Sequence, residues 1–162
     1  MATVKPWPEP VERVAAVLRA QAVDARLEEF REGSPTAEAA ARAVGCTLEE
    51  IVKSLVFMCD GRAVLALVPG DRRADPLRVA AAAGAATARV ARPPEVVEAT
   101  GFEPGGVAPF PAPNVSRVFI DRTLAAHELV WVGAGSDSHM AGLAAADLIR
   151  LAKAEIADLA AG

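Results

Sequence analysis

The sequence predicts a mixed α/β protein in which about seven short strands form a curled, barrel-like sheet flanked by helices. Three observations favour this class. Residues 22–30 alternate apolar and polar side chains, as a half-buried strand does. Residues 63–68 are apolar throughout, which is typical of a strand covered on both faces. Helical and strand segments also follow one another without strict βαβ alternation, so a doubly wound parallel sheet is not expected.

The first part of the chain is predicted to contain two helices around one strand. Residues 9–20 repeat apolar side chains at helical spacing, and residues 22–30 then form the first strand. Ser34-Pro35 is predicted to open the second helix, because serine caps helices and proline suits the first helical position. Gly45 is predicted to end it. Residues 47–50 then carry a capping-box pattern in a turn.

Six further strands and three helices are predicted in the rest of the chain. Aspartate–glycine, glycine and proline signals mark the turns and the helix starts between them. The predicted strands are 52–58, 63–68, 86–91, 115–120, 129–133 and 140–143. The predicted helices are 75–83, 93–101 and one from about residue 145 to the end of the chain. We expect one domain over 1–162, with an N-terminal helix in 1–21 and the mixed barrel with its helices in 22–162.

Composition and charge narrow the function classes. The chain has 162 residues and a net charge of −4, which argues against a protein that coats DNA or RNA electrostatically but allows one that grips a few nucleotides at an RNA end. No apolar run approaches the about 18 residues of a membrane span, and no secretory pattern is present near the N-terminus. A cytoplasmic protein without a membrane partner is therefore expected. Two cysteines and two histidines without metal-ligand spacing predict neither a metal site nor a cofactor.

Lys53 is the most informative residue. If residues 52–58 form a strand, Lys53 shares a face with Ile51, Leu55 and Phe57. A lysine on an apolar face is costly to bury unless a partner satisfies its ammonium group. It either extends to water from the start of the strand or is held over a cleft for an anionic or carbonyl ligand.

Two glycine-rich loops are candidate walls of such a cleft. In the first, Gly105 and Gly106 precede Val107 and Pro109, and adjacent glycines allow backbone N–H groups to approach a ligand. A surface turn is the alternative explanation.

The second loop follows a predicted strand and contains Gly133, Gly135, Ser136, Ser138 and His139. A hydrolase triad of Ser136 or Ser138 with His139 and an aspartate is an alternative here, although no G-x-S-x-G elbow is present. At the end of another predicted strand, Asp121 is either a turn cap or a carboxylate at the rim of the pocket.

Taken in order, these segments resemble the YbaK / prolyl-tRNA synthetase-associated editing domain family. The resemblance runs from about Phe30 to Leu159 and depends on the ordered set rather than on any one segment. The matching segments are Thr36-Ala37-Glu38-Ala39-Ala40, Gly45, Ile51-Val52-Lys53-Ser54-Leu55-Val56-Phe57, Asp60-Gly61, Val68-Pro69-Gly70-Asp71, Thr100-Gly101-Phe102, Gly105-Gly106-Val107-Ala108-Pro109-Phe110, Ile120-Asp121, Gly133-Ala134-Gly135 and Ala146-Asp147-Leu148.

The resemblance implies a mixed α/β fold around a curled barrel and hydrolysis of the ester between a wrong amino acid and the tRNA 3′ end. It implies that Lys53 is the catalytic residue and that the GxxxP loop lines the aminoacyl pocket. The substrate-binding residues carried over are Gly105, Gly106, Val107, Pro109, Asp121, Gly133, Gly135 and Ser136. The implied partners are the acceptor end of a mischarged tRNA and prolyl-tRNA synthetase or another synthetase.

The sequence does not determine which amino acid is removed. Where the Cys-tRNA(Pro) deacylase branch has a basic glycine-rich segment, this chain has Ser136-Asp137-Ser138-His139. Alanine, cysteine, serine and threonine all remain possible substrates. A non-catalytic module of the same fold, which docks on a synthetase or a tRNA end, is the alternative to the enzyme.

Overall fold

The computed structural model describes residues 7–30 and 36–161, and the predicted helix start at Ser34-Pro35 lies outside them. The helices are α1 (Glu9–Ala20), α2 (Ala37–Val44), α3 (Pro76–Ala83), α4 (Pro93–Thr100), α5 (Arg122–Ala125) and α6 (Ala145–Ala152), with a 3₁₀ turn at Leu48–Glu50. The strands are β1 (Ala25–Glu29), β2 (Val52–Cys59), β3 (Arg62–Pro69), β4 (Arg73–Ala74), β5 (Ala88–Val90), β6 (Arg117–Asp121), β7 (Leu129–Gly133), β8 (His139–Ala144), β9 (Ala154–Ala157) and β10 (Ala160–Ala161).

The local signals of the sequence explain most of these boundaries. Thr36 caps α2, since its hydroxyl accepts a hydrogen bond from the Ala39 N–H at 3.2 Å. Gly45 ends the same helix in the left-handed conformation, with φ of 76°. The capping box is present in the 3₁₀ turn, where the Glu50 carboxylate accepts from the Thr47 N–H at 2.9 Å.

The strands form three sheets in the described part of the chain. The largest has the order β5-β2-β3-β6-β9, with β3, β6 and β9 parallel and the other pairs antiparallel. A second sheet has the antiparallel order β1-β8-β7, and β10 pairs with β4. A parallel bridge between Ile51 and Trp131 joins the start of β2 to β7. The start of β2 is therefore the junction of the two main sheets.

The side chains of β2 and of Ile51, which precedes it, contribute to three separate core clusters. Val52 and Val56 point into the largest cluster, whereas Phe57 on the opposite face belongs to a second one with Phe119. Ile51 belongs to a third cluster, which packs α2 against the second sheet through Ala40, Ala41, Trp131 and Met140. This arrangement places β2 at the centre of the molecule.

The mixed α/β class predicted from the sequence is confirmed, and each of the seven predicted strands is present. The predicted C-terminal helix is too long, because α6 ends at Ala152 and Lys153 follows in the left-handed conformation with φ of 52°. Three strands were not predicted, namely β4, β9 and β10. The segment of β9 is rich in alanine and has no glycine or proline before it, so its local pattern favours a continued helix. Among the helices of the described residues, none has the length and apolar character needed to cross a membrane.

Candidate active site

A cavity of about 270 Å³ opens at the start of β2, where the two main sheets meet. Five parts of the chain form its wall: the start of β2, the start of α2, the end of β1, and the two glycine-rich loops with the beginning of β8. The lining residues are Phe30, Thr36, Ala37, Ala40, Ile51, Val52, Lys53, Ser54, Leu55, Gly105, Val107, Gly133, Ser136, Asp137, His139 and Met140. The cavity thus combines apolar walls with a few polar groups, as small-molecule sites do.

Lys53 is held at this cavity by the main chain of a neighbouring turn. Its Nζ donates a hydrogen bond to the carbonyl of Arg72, just after β3. Partial burial lowers the pKa of the Lys53 ammonium, with a smaller contribution from Arg73, while Asp71 and Glu38 act in the opposite direction. The Lys53 ammonium group therefore has a main-chain partner within the fold.

The two glycine-rich loops pack backbone to backbone on the other side of the cavity. The Gly135 N–H donates to the Gly106 carbonyl at 3.0 Å. A Cβ at Gly106 would lie 2.8 Å from the Cα of Ser136, and one at Gly133 would lie 2.6 Å from the carbonyl oxygen of Val107. Because no side chain fits at either position, glycine is what allows the loops to form one wall.

Ser136 and His139 are brought together by the turn between β7 and β8. The Ser136 Oγ lies 2.6 Å from Nδ1 of His139, and the Glu29 carboxylate lies 3.6 Å from Nε2 of the same ring. His139 is 3% exposed, and its ring packs nearly perpendicular to that of Trp7 with ring centroids 5.5 Å apart. Burial lowers the pKa of the His139 imidazole, against opposing effects of Glu29 and Asp137, so this ring is neutral at pH 7. The serine–histidine contact considered from the sequence is present, but no aspartate among the described residues completes a triad there: the nearby acid is Glu29, and it makes no hydrogen bond to Nε2.

Not every predicted site residue lies on the cavity wall. Lys53, Gly105, Val107, Gly133 and Ser136 do. The other four residues do not belong to this lining. Gly106 lies behind it, Gly135 packs against α1, Pro109 lines a different surface cavity, and Asp121 is buried at the end of β6. The substrate-binding role of all these residues remains a prediction.

Asp121 has the geometry of a turn cap, which is one of the two alternatives drawn from the sequence. Its carboxylate accepts hydrogen bonds from the N–H groups of Thr123, Leu159 and Ala160 at 3.1, 2.8 and 2.9 Å. Burial acts to raise the pKa of this carboxyl, but the hydrogen bonds together lower it below its ordinary value. Asp121 therefore joins β6 to the C-terminal strands.

Ser54 was missed by the sequence reasoning although it lies beside Lys53. Ser54 lines the cavity, and its buried Oγ has no hydrogen-bond partner within residues 7–30 and 36–161. The available signal was a hydroxyl between Val52 and Val56 on an otherwise apolar strand face. No group of three or more histidine, cysteine, aspartate or glutamate side chains in the described residues is placed to hold a metal ion.

Comparison of the sequence with known proteins identifies a family to which this chain is similar. The aminoacyl-tRNA editing domain family matches residues 31–151. The chain is 37% identical over 111 residues to the uncharacterized protein YwhH of Bacillus subtilis, an alignment that covers 68% of this chain and 70% of YwhH. It is 34% identical over 137 residues to the proline–tRNA ligase of Xanthomonas oryzae pv. oryzae, covering 82% of this chain and 24% of the ligase.

A solved structure supports the same relationship. A protein described as a candidate trans-editing enzyme for prolyl-tRNA synthetase superposes with a TM-score of 0.88 and 32% identity, covering 97% of this chain and 100% of that one. Against the proline–tRNA ligase, the chain spans only about a quarter of the relative's length. The family resemblance drawn from the ordered motifs is confirmed, and the chain belongs to the aminoacyl-tRNA editing domain family.

Proposed function

We propose that this chain is a free-standing trans-editing deacylase that hydrolyses the ester of a mischarged small amino acid on tRNA. The proposed amino acids are alanine, cysteine, serine and threonine, and the proposed tRNA is tRNA(Pro) or a related one. The observation that carries the proposal is the cavity of about 270 Å³ with Lys53 on one side and the Gly105–Val107 loop on the other. This volume lies just below the about 300–1,000 Å³ of pockets for drug-sized ligands, and so suits a small aminoacyl group.

The proposed reaction is attack of water on the ester carbonyl carbon. The bond between that carbon and the ribose oxygen breaks, the ribose oxygen takes a proton from the water, and a free amino acid and a free tRNA end are released. An aminoacyl ester is already activated, so positioning the water and stabilising the oxyanion suffice. Lys53 binds the carbonyl or ester oxygens, and backbone N–H groups of residues 105–109 hold the aminoacyl end. The substrate's own hydroxyl or amine orients the water.

Editing of this kind addresses a known limit of binding energy. A synthetase pocket separates side chains that differ by one methylene by only about 1–3 kcal/mol, and a second site that hydrolyses the wrong product restores accuracy. The similarity to a proline–tRNA ligase and to a candidate trans-editing enzyme for prolyl-tRNA synthetase supports tRNA(Pro) and its synthetase as the partners.

A panel of mischarged tRNAs tests the proposal. Release of each amino acid is measured with the wild-type chain, with Lys53→Ala and with Lys153→Ala, which removes an exposed lysine outside the cavity. Removing the group that stabilises the oxyanion is expected to lower the rate about 10²–10³-fold in Lys53→Ala, while Lys153→Ala keeps the wild-type rate. Near wild-type turnover by Lys53→Ala would remove Lys53 from the mechanism.

The same assay distinguishes the two alternatives. A non-catalytic binding module would bind tRNA ends and show no turnover with any mischarged tRNA. A hydrolase that uses Ser136 as nucleophile would lose activity on treatment with a serine-directed acylating reagent, because its hydroxyl lies 2.6 Å from the imidazole of His139. The lysine-based mechanism has no acyl-enzyme step and predicts resistance to that reagent.

A further inference from the structure

The Ser54 hydroxyl is an unsatisfied polar group in the wall of the cavity. Its Oγ is buried and makes no hydrogen bond to any described residue, although nearly all buried hydroxyl groups in folded proteins are paired. An unpaired buried hydroxyl lowers the stability of the fold, so an exception of this kind calls for an explanation. Because Ser54 lines the cavity, a bound ligand is in position to supply the missing partner.

Ser54 and Lys53 approach the cavity from opposite faces of β2. Val52 and Val56, two residues to either side of Ser54, pack into the cluster that contains Val107. Ser54 therefore projects on the side of the glycine loop. The ammonium of Lys53 leaves the other face and bonds to the Arg72 carbonyl. A ligand in the cavity thus meets the hydroxyl and the ammonium at two separate places.

The main chain of Ser54 lies between the two places where the edge of β2 contacts other strands, namely β5 and β7. Strand β5 pairs only with Phe57–Cys59, and the Ala91 N–H donates to the Val56 carbonyl at 2.9 Å, while on the other side of Ser54 the Ile51–Trp131 bridge joins the start of β2 to β7. Main-chain groups two residues apart in a strand point the same way, so the Ser54 carbonyl and N–H project beyond the end of β5. The carbonyl and the hydroxyl of one residue form a pair of acceptors at the cavity.

We propose that Ser54 binds the α-ammonium group of the aminoacyl moiety through its hydroxyl oxygen and its main-chain carbonyl. The proposal rests on the proposed deacylase function and adds a recognition element to the same site. Two adjacent oxygen acceptors suit an ammonium group, which donates several hydrogen bonds. The Asp137 carboxylate on the same cavity wall also favours a cation there. Repulsion by the Lys53 ammonium turns the cationic end of the substrate toward Ser54 and leaves the ester oxygens for Lys53.

The decisive experiment compares two substrates of nearly equal shape. Alanyl-tRNA carries the α-ammonium group, whereas lactyl-tRNA carries a hydroxyl in its place. We expect Ser54→Ala to raise KM for alanyl-tRNA about 10-fold or more while kcat changes less than about 3-fold, because the lost contact is made equally in the ground state and the transition state. For lactyl-tRNA we expect KM of Ser54→Ala and of the wild type to differ less than about 3-fold, because no charged hydrogen bond is lost.

Two further variants separate recognition from folding. Ser54→Thr restores a hydroxyl and is expected to recover most of the affinity for alanyl-tRNA. Ser116→Ala removes a hydroxyl outside the cavity, one that bonds to the Ala63 carbonyl at 3.0 Å, and is expected to leave KM unchanged. Ser54→Ala is also expected to melt at the wild-type temperature or above, since the hydroxyl makes no bond that the fold would lose.

Three results would overturn the proposal for Ser54. They are equal losses by Ser54→Ala on alanyl-tRNA and lactyl-tRNA, wild-type kinetics of Ser54→Ala on both, or a lower melting temperature with no change in KM. Each of these results requires that the wild-type chain deacylates alanyl-tRNA. A wild-type chain without any turnover would instead contradict the deacylase function, so the two failures are distinguishable.

Discussion

Two buried polar residues, Asp121 and His139, show how differently a buried group is used within one small fold. Asp121 accepts hydrogen bonds from three backbone N–H groups at 2.8–3.1 Å and does not line the cavity. His139 lines the cavity, and its Nε2 has no hydrogen-bond partner among residues 7–30 and 36–161. A buried polar group that makes all its hydrogen bonds within the protein stabilises the fold. A buried polar group at a cavity that lacks a hydrogen-bond partner is available to bind a ligand.

Replacing Asp121 tests the first of these roles. In Asp121→Asn one of the two carboxylate oxygens becomes an amide nitrogen, so hydrogen bonds to the backbone are lost. We expect the free energy of unfolding at pH 7 to fall by about 1–3 kcal/mol, measured by urea denaturation. Deacylation at a temperature where the variant stays folded should remain near the wild-type rate.

The pH dependence of the free energy of unfolding, measured for the wild type and for Asp121→Asn, gives a second test of the role of Asp121. The pKa of Asp121 is lowered in the folded protein from an ordinary value of 3.8, so its stabilising effect is fully present above about pH 4. This stabilising effect is lost as the pH falls below 3.8 and through the pKa of Asp121 in the folded protein. Over that range the unfolded chain binds a proton at Asp121 more readily than the folded protein does. The stability difference between wild type and Asp121→Asn should therefore shrink below pH 3.8. A difference that is as large at pH 2.5 as at pH 7 would contradict this account.

At the scale of elements, the site depends on loops that other elements hold in place. Helix α1 contacts the second glycine-rich loop and the Gly101–Phe102 segment that precedes the first one. A Cβ at Gly135 would lie 2.5 Å from the Pro10 carbonyl oxygen, and Arg13 donates to the Gly101 carbonyl at 2.7 Å while lying 4.7 Å above the ring of Phe102. The N-terminal helix thus supports the wall opposite Lys53 without lining the cavity itself.

Gly106→Ala tests the close packing of the two loops. Its Cβ would meet the Ser136 backbone, which has to move, so we expect about 1–3 kcal/mol lower stability and at least about 10-fold lower kcat/KM. Gly84→Ala is the matched control, since Gly84 has a positive φ of 67°, ends α3 and has no atom within 4 Å of its Cβ position. This control should lose stability and keep kcat/KM. Equal kcat/KM in the two variants would show that the loop contact does not set the site geometry.

At the scale of the whole molecule, net charge limits how tRNA is gripped. A chain with a charge of −4 has no excess of cations to follow a long stretch of phosphates. The cavity lies at one junction of two sheets, so contact is expected with the terminal nucleotides only.

The salt dependence of tRNA binding tests this expectation. Each phosphate neutralised on a single strand contributes about −0.7 to the slope of log affinity against log salt, so about three or fewer contacts predict a slope between 0 and about −2. The measurement uses Lys53→Ala with mischarged tRNA, to prevent turnover during titration. A slope of about −5 or steeper would show an extended phosphate track instead.

Local sequence signals determined much of the architecture, because alternation, caps and turn residues act over a few neighbouring positions. The predicted strands at 22–30 and 63–68 are present as Ala25–Glu29 and Arg62–Pro69, Gly45 ends α2, and Lys53 lies on the strand face that its spacing predicted. Together with the ordered motifs, these signals also identified the family and five of the residues that line the cavity.

Tertiary structure alone decided the rest, because pairing and cavities depend on residues distant in sequence. Strand β9 exists because Ala154–Ala157 pairs in parallel with β6, which its alanine-rich sequence does not reveal. The hydrogen bonds from Leu159 and Ala160 to Asp121 form only in the folded chain, and β5 pairs with β2 only over Phe57–Cys59, so that it does not reach Ser54. The residues next to these positions in sequence do not indicate whether a segment more than thirty positions away will pair with them.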